Sequence, residues 1–117
     1  MRTFDSKATR NSDTNKFDYE GFLSPAVLIE FGHYMHTHRK QADGNLRDSD
    51  NWQKGIPIPV YMKSLLRHVI GVWTIHRGGV YIDEDTGKPM TLKSALCAVM
   101  FNAMGYLFEI LKNDKSI

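Results

Sequence analysis

Three stretches of the chain are apolar on more than one helical face, and this limits the possible folds more than any other feature. They lie at residues 24–39, 59–77 and 91–112, and the last two are apolar around most of the circumference. A helix that is apolar on several faces must be buried on several faces, which about 90 ordered residues cannot achieve alone. We therefore predict an all-α protomer with three main helices, completed by packing into a dimer or higher oligomer.

Start and stop signals mark the ends of these helices. Ser24 and Thr91 are N-cap residues, Pro25 and Pro59 suit a first helical turn, and Gly78 opens a glycine pair that ends the second helix. The predicted helices run over residues 25–39, 59–77 and 92–112.

The rest of the chain is polar or rich in turn residues. Residues 1–16 hold almost no apolar side chains, which predicts a flexible N-terminal arm ahead of a single helical domain at 17–117. Residues 41–58 predict a long irregular connection with a short turn, and residues 80–89 a loop or short hairpin. The start is no signal peptide, and no apolar run approaches the roughly 18 residues of a membrane span. We expect no membrane partner and a cytoplasmic location.

The charge distribution narrows the class of ligand. The formal net charge of +2 is too weak for the basic field that duplex nucleic acid requires. Residues 31–82, however, hold seven Lys and Arg against three acids, and all five histidines. This cationic middle favours a phosphate-bearing small molecule. The single cysteine, Cys97, excludes an intramolecular disulfide and a cysteine-based zinc site.

The densest polar stretch is LRDSDNWQKG at residues 46–55. Arg47 and Lys54 are candidates to hold phosphates, Trp52 to stack on a base, and Asp48 or Asp50 to bind a hard cation such as Mg²⁺. The alternative is structural, with one aspartate capping a short helix and the indole filling the core.

Single polar side chains interrupt the apolar helices. Arg67 must reach solvent, an acid or a bound anion, because an unpaired buried guanidinium is costly. His68 is either a ligand contact or a satisfied core histidine, and the Asn102 amide requires a partner from another helix or a nucleobase edge. His33 and His36 share a helical face, as either a transition-metal pair or a solvated helix end.

Four stretches together resemble a known family. They are FDYEGFLSPAVLIEFGHYMHTHR, DGNLRDSDNWQKGIP, YMKSLLRHVIGVWTIHRG and ALCAVMFNAMGYLFEIL, and they resemble the phage family called dATP/dGTP diphosphohydrolase N-terminal domain. The resemblance covers residues 17–112 and is most specific at DNWxKG (50–55) and SLxRH (64–68). That family is similar to the MazG-like all-α pyrophosphohydrolases, oligomeric helical bundles that split a nucleoside triphosphate into monophosphate and pyrophosphate with Mg²⁺ or Mn²⁺.

The resemblance implies a MazG-like bundle that binds a purine nucleotide in the cytoplasm of an infected bacterial host. The residues predicted to contact this ligand lie in the polar stretch 46–55, in the SLxRH motif and in the third helix: Arg47, Asp48, Asp50, Asn51, Trp52, Lys54, Arg67, His68 and Asn102.

The acids depart from the MazG-like pattern, in which carboxylates three apart on helices hold the metal ions. No two acids of this chain are three or four residues apart. A metal site would have to form from side chains distant in sequence, and the candidates are Glu30, Asp50, Asp83 and Glu109. Two functions therefore stay open: a metal-dependent diphosphohydrolase, and a catalytically silent protein that sequesters a nucleotide signal of a host defence system.

Overall fold

The computed structural model describes residues 1–115, so the last two residues of the domain predicted at 17–117 lie outside it. The fold is mostly helical, with 54% of residues in helices, which confirms the all-α prediction. Within the described residues the elements are β1 (Arg2–Thr3), β2 (Thr9–Arg10), α1 (Tyr19–Phe22), α2 (Pro25–Thr37), a 3-10 helix (Asn51–Lys54), α3 (Ile58–His76) and α4 (Leu92–Asn113). The three main helices of the prediction are α2, α3 and α4.

The predicted caps form as expected at α2 and α4. The Ser24 hydroxyl accepts a hydrogen bond from the Val27 amide at 3.3 Å, and the Thr91 hydroxyl accepts one from the Ser94 amide at 3.1 Å. Helix α2 ends at Thr37, two residues before the predicted end, because the chain there turns into a hairpin.

The first residues form a small antiparallel hairpin that the sequence reading did not predict. Arg2 lies opposite Arg10 and Thr3 opposite Thr9, and the turn includes Lys7 at a φ of 72°. The Arg2 guanidinium lies 2.9 Å from the Asp13 carboxylate, and both side chains are exposed. Neither strand contacts a helix, so residues 1–16 remain separate from the helical part of the described chain.

Helices α3 and α4 pack antiparallel and form the core. Tyr61, near the start of α3, is 1% exposed and lies over Gly105, toward the end of α4. A methyl group on Gly105 would lie 2.7 Å from the Tyr61 hydroxyl oxygen, so this approach requires glycine. Ala95 and Ala98 complete the same buried face of α4.

We predict that Tyr61→Phe leaves the fold intact and raises its stability by about 1 kcal/mol, because a buried hydroxyl without a hydrogen-bond partner has lost water and gained nothing. The Tyr61 hydroxyl has no partner among residues 1–115. Thermal unfolding measures the change, and Tyr106→Phe is the control, since the Tyr106 hydroxyl is not buried without a partner. A clear loss of stability in Tyr61→Phe would show that this hydroxyl is bonded.

Helix α4 is long and apolar enough to cross a membrane by length and composition, with a mean hydropathy of 1.5 in its most apolar stretch. The expectation that no run reaches this length was therefore too strict. The inner face of α4, however, buries Asn102 and Glu109 in the protein. The Glu109 carboxylate accepts the Ile56 amide at 3.4 Å and lies 3.5 Å from the Lys112 ammonium. These contacts fit the core helix of a soluble protein.

Candidate functional site

A cavity of about 640 Å³ lies between α2, the connection that follows it, α3 and α4. Its volume is in the range of small-molecule sites, about 300–1,000 Å³. Six of the nine residues predicted to contact the ligand line it: Arg47, Asp48, Asn51, Trp52, His68 and Asn102. Residues up to 55 positions apart in the chain, Arg47 and Asn102, thus meet at one site.

A hairpin at residues 39–47 forms one wall, where the sequence predicted an irregular loop. The Arg47 amide donates to the Arg39 carbonyl at 2.8 Å, and the Arg39 Nε donates to the Arg47 carbonyl at 2.8 Å. Gly44 makes the turn with a φ of +86°, a conformation that suits glycine. The Arg47 Nη1 also donates to the His38 carbonyl at 3.2 Å. The hairpin therefore places both arginines beside the end of α2.

The cationic side chains of this wall have no acidic partners. Neither Arg39 nor Arg47 forms an ion pair within residues 1–115. His36 and His38 line the same cavity. Asp48, which lies on the cavity too, is 3.9 Å from the Lys54 ammonium, with both groups exposed. Two uncompensated guanidinium groups at one cavity make it suited to an anionic ligand.

Aromatic side chains of the 3-10 helix and of α4 also line the cavity. The Trp52 indole makes edge-to-face contacts with Phe108 at 5.0 Å and with Phe101 at 6.1 Å between ring centroids. Trp52 therefore packs against α4, which agrees with the prediction that its indole fills the core. It also lines the cavity together with Phe101. Its position on the 3-10 helix is fixed by these two contacts.

Two polar side chains of the core helices reach the cavity. Asn102 is 4% exposed and its Nδ2 donates to the Ala98 carbonyl of its own helix at 2.8 Å. The protein partner thus comes from α4 itself, whereas the sequence predicted a partner from another helix or a nucleobase edge. His68 has a buried Nδ1 without a hydrogen-bond partner in the described chain. Burial, and then the nearby Arg67 charge, lower the pKa of His68, so its imidazole is neutral at pH 7.

Tyr34 lines this cavity and also the smaller one of about 180 Å³. Burial raises the pKa of Tyr34 to about 12, and the charges of Cys97, Asp83 and Asp85 add to the effect. The phenol is therefore protonated throughout the physiological range. It is an uncharged group in a buried environment near Cys97, Asp83 and Asp85.

The other three predicted contacts lie off the cavity. Arg67 is exposed on α3, since neighbouring residues of a helix point about 100° apart and His68 takes the inward direction. Asp50 precedes the 3-10 helix, where its carbonyl accepts the Gln53 amide at 2.9 Å. Lys54 ends that helix and is exposed.

The four metal candidates do not come together. Within residues 1–115 no group of three or more His, Cys, Asp or Glu side chains is placed to hold a metal ion. Glu30 lines a separate cavity of about 180 Å³ with His33 and Cys97, whose thiol pKa is raised by burial and by Glu30. The Asp83 carboxylate accepts the Asp85 amide at 2.9 Å within a turn.

The other two metal candidates, Glu109 and Asp50, lie in different places as well. Glu109 joins α4 to the chain before α3 through Ile56, and it pairs with Lys112. Asp50 lies outside the main cavity. Glu30, Asp50, Asp83 and Glu109 therefore lie in four separate environments and do not form the predicted metal site. Among residues 1–115, His33 and His36 gain no third ligand either.

Several cavity residues were missed from the sequence. Arg39 falls at the predicted end of the first main helix, and only the closure of the 39–47 hairpin brings it to the site. Phe101 was read as part of an apolar helix, with no signal to separate it from the core. His36, His38 and Asp85 also line the cavity, and their spacing in the sequence does not show that they meet.

Comparison with known proteins adds no relative. No protein-family model matches the chain, and neither a curated protein nor a solved structure matches it. What the resemblance to the diphosphohydrolase family implies therefore stays an expectation, and the function has to be argued from the cavity.

Proposed function

We propose that the protein binds a purine (deoxy)nucleotide in the 640 Å³ cavity, with the phosphates at Arg39 and Arg47. The observation that carries the proposal is that two arginines without acidic partners in the described chain line the same cavity as the aromatic rings of Trp52 and Phe101. A nucleotide has the same division, with a polyanion at one end and a flat apolar base at the other.

The phosphate end follows from the chemistry of arginine. Each guanidinium presents a planar set of donors that matches two phosphate oxygens, and charge-assisted bonds of this kind are about twice as strong as neutral ones. The Arg39–Arg47 hairpin fixes the backbone of both residues, so less freedom is lost on binding.

The base end follows from Trp52, Phe101 and Asn102. Base–aromatic stacking contributes about 1–3 kcal/mol and accepts any base, so the rings alone would not select a purine. The amide of Asn102 is the group that matches the donor and acceptor pattern of an adenine edge. Asn51, beside Trp52, supplies a second amide on the cavity.

The same geometry supports binding without hydrolysis. Metal-assisted cleavage uses carboxylates that converge on the ions, and the four candidate acids lie apart. We therefore favour a protein that sequesters its ligand, a nucleotide or a nucleotide-derived signal of a host defence system, in the cytoplasm of a phage-infected bacterium. Mg²⁺ or Mn²⁺ would enter only with the phosphates of the ligand, beside Asp48 or Asp85, which do line the cavity.

The test is calorimetric titration of the purified chain with dATP, dGTP, dCTP and deoxyadenosine, each with and without Mg²⁺. We expect a purine triphosphate to bind more tightly than dCTP and far more tightly than deoxyadenosine. At a ligand concentration 100 times Kd the folded state gains about 2.7 kcal/mol, so the unfolding temperature should rise by several degrees.

Recovery of the ligand after overnight incubation separates sequestration from hydrolysis. Intact triphosphate is the expected result. Release of monophosphate and pyrophosphate would overturn the silent-binder form of the proposal in favour of the diphosphohydrolase. Failure of every purine nucleotide, including cyclic ones, to bind or to raise the unfolding temperature would contradict the assignment of the cavity.

A further inference from the structure

The isolated chain exposes far more surface than a compact protein of its size. Its accessible area is 9,272 Å², whereas a folded monomer of 13.4 kDa has about 6,500 Å². Its radius of gyration is 19.2 Å, against about 13 Å for a compact domain of this length. The excess is roughly 2,800 Å² per chain, and part of it belongs to the polar residues 1–16, whose strands contact no helix. A standard protein–protein interface buries about 800 Å² per partner.

Helix α4 carries part of this surface as an uncharged outer stripe. Its members recur at spacings of four, four, three, four and three residues, and they are Leu92, Leu96, Met100, Ala103, Leu107 and Ile110. All of them are exposed, with Leu107 at 56%. Residues 94–108 contain no charged side chain at all. This near-heptad spacing is typical of a helix that packs along its length against another helix.

Helix α3 has a second stripe of the same kind. Met62, Leu66, Val69, Ile70 and Trp73 are exposed on the side away from α4. A polar strip that includes Lys63 and Arg67 borders the stripe on one side, so the apolar character is confined to one direction. Helix α3 is therefore apolar on two faces, and α4 covers only one of them.

Residues 17–30 are the third exposed apolar region, and they project from the helix pair. Every one of these residues is exposed, although α1 and the start of α2 are capped by Asp18 and Ser24. Their large apolar side chains are Phe17, Tyr19, Phe22, Leu23, Val27, Leu28 and Ile29, and Phe22 is 74% exposed. A capped helical segment this apolar requires a surface to bury it, and its own chain supplies none in the described residues.

We infer that a second copy of the chain covers these regions, with residues 17–30 of each protomer packed against the outer stripes of α3 and α4 of its partner. The same chain carries both the projecting segment and the stripes that can receive it, so a two-fold exchange satisfies both at once. The three regions are apolar, as the interfaces of obligate homodimers are. This inference does not depend on what the cavity binds.

The experiment measures the mass of the full chain without nucleotide by light scattering and by sedimentation at two concentrations. We expect the wild-type protein to have twice the mass of one 13.4 kDa chain. One double variant changes the α4 stripe, Leu96→Glu with Leu107→Glu, and a second changes the projecting segment, Phe22→Ser with Leu28→Ser. We expect each to raise the dissociation constant of the dimer at least tenfold, which shifts the measured mass toward that of the monomer. Val80→Glu is the control, because Val80 is 69% exposed but lies outside all three regions.

Thermal unfolding of the wild-type chain at several protein concentrations tests the inference even if the variants do not fold. A dimer that unfolds to monomers becomes more stable as its concentration rises, and a monomer does not. A wild-type monomer, or stripe variants that dimerise as well as Val80→Glu does, would overturn the inference. Flotation of the monomeric chain with phosphatidylcholine vesicles would also overturn it, since the α4 stripe would then face lipid.

Discussion

Replacing Arg39 and Arg47 together with alanine is expected to weaken purine-triphosphate binding by at least about 100-fold, since each charge-assisted contact contributes about 1.5–3 kcal/mol and each 1.4 kcal/mol is tenfold in affinity. Both side chains line the cavity and neither is paired with an acid in the described chain. Calorimetric titration measures the loss. Replacing both arginines with lysine should retain part of the affinity, because lysine keeps the charge but lacks the planar set of donors.

Arg67→Ala is the matched control. It removes the same charge from α3, one residue from His68, but the Arg67 side chain is exposed and does not line the cavity. We expect less than about a threefold change in affinity, because an exposed charge at this distance is screened by salt. If Arg67→Ala lost as much affinity as the Arg39 and Arg47 variant, the ligand would lie on the SLxRH motif rather than in the cavity.

The fold could be predicted where local chemistry decides it. The caps at Ser24 and Thr91 and the helical spacing of apolar residues gave α2, α3 and α4 nearly to the residue, because these signals act over one or two turns. The 39–47 hairpin could not be predicted, since it depends on the Arg39 side chain reaching the Arg47 carbonyl, a contact without a periodic pattern. The two-residue strands at the N-terminus are too short to have one.

The candidate site was predictable only in part, for a related reason. Arg47 and Trp52 belong to a polar loop that is unusual by composition, whereas Arg39 and Phe101 are ordinary members of helical stretches and gain their position from tertiary packing. Arg67 and His68 show the limit of a motif, since adjacent helical residues face different directions and only the second lines the cavity. The four acids predicted to form a metal site are distant in sequence, and no periodic pattern shows whether such residues meet; the structure separates them.

Gly105→Ala is expected to destabilise the fold by about 2–3 kcal/mol, because the added methyl would overpack the buried interface between α3 and α4. Three atoms of Tyr61 would lie closer than 3 Å to it, and Tyr61 is 1% exposed and has no room to move. The loss is expected even though alanine favours a helix by about 0.8–1 kcal/mol over glycine. Thermal unfolding at one fixed protein concentration measures it, as a drop of roughly 10 °C.

Gly32→Ala separates the steric effect from helix propensity. Gly32 lies within α2 and has nothing within 4 Å of the position of the new methyl, so the same substitution there should stabilise the fold by about 0.5–1 kcal/mol. Tyr61→Leu should then recover part of the Gly105→Ala loss, because the atoms that meet the methyl belong to the ring. If the two losses simply add, Tyr61 and Gly105 do not touch, and the antiparallel packing of α3 on α4 described above is wrong.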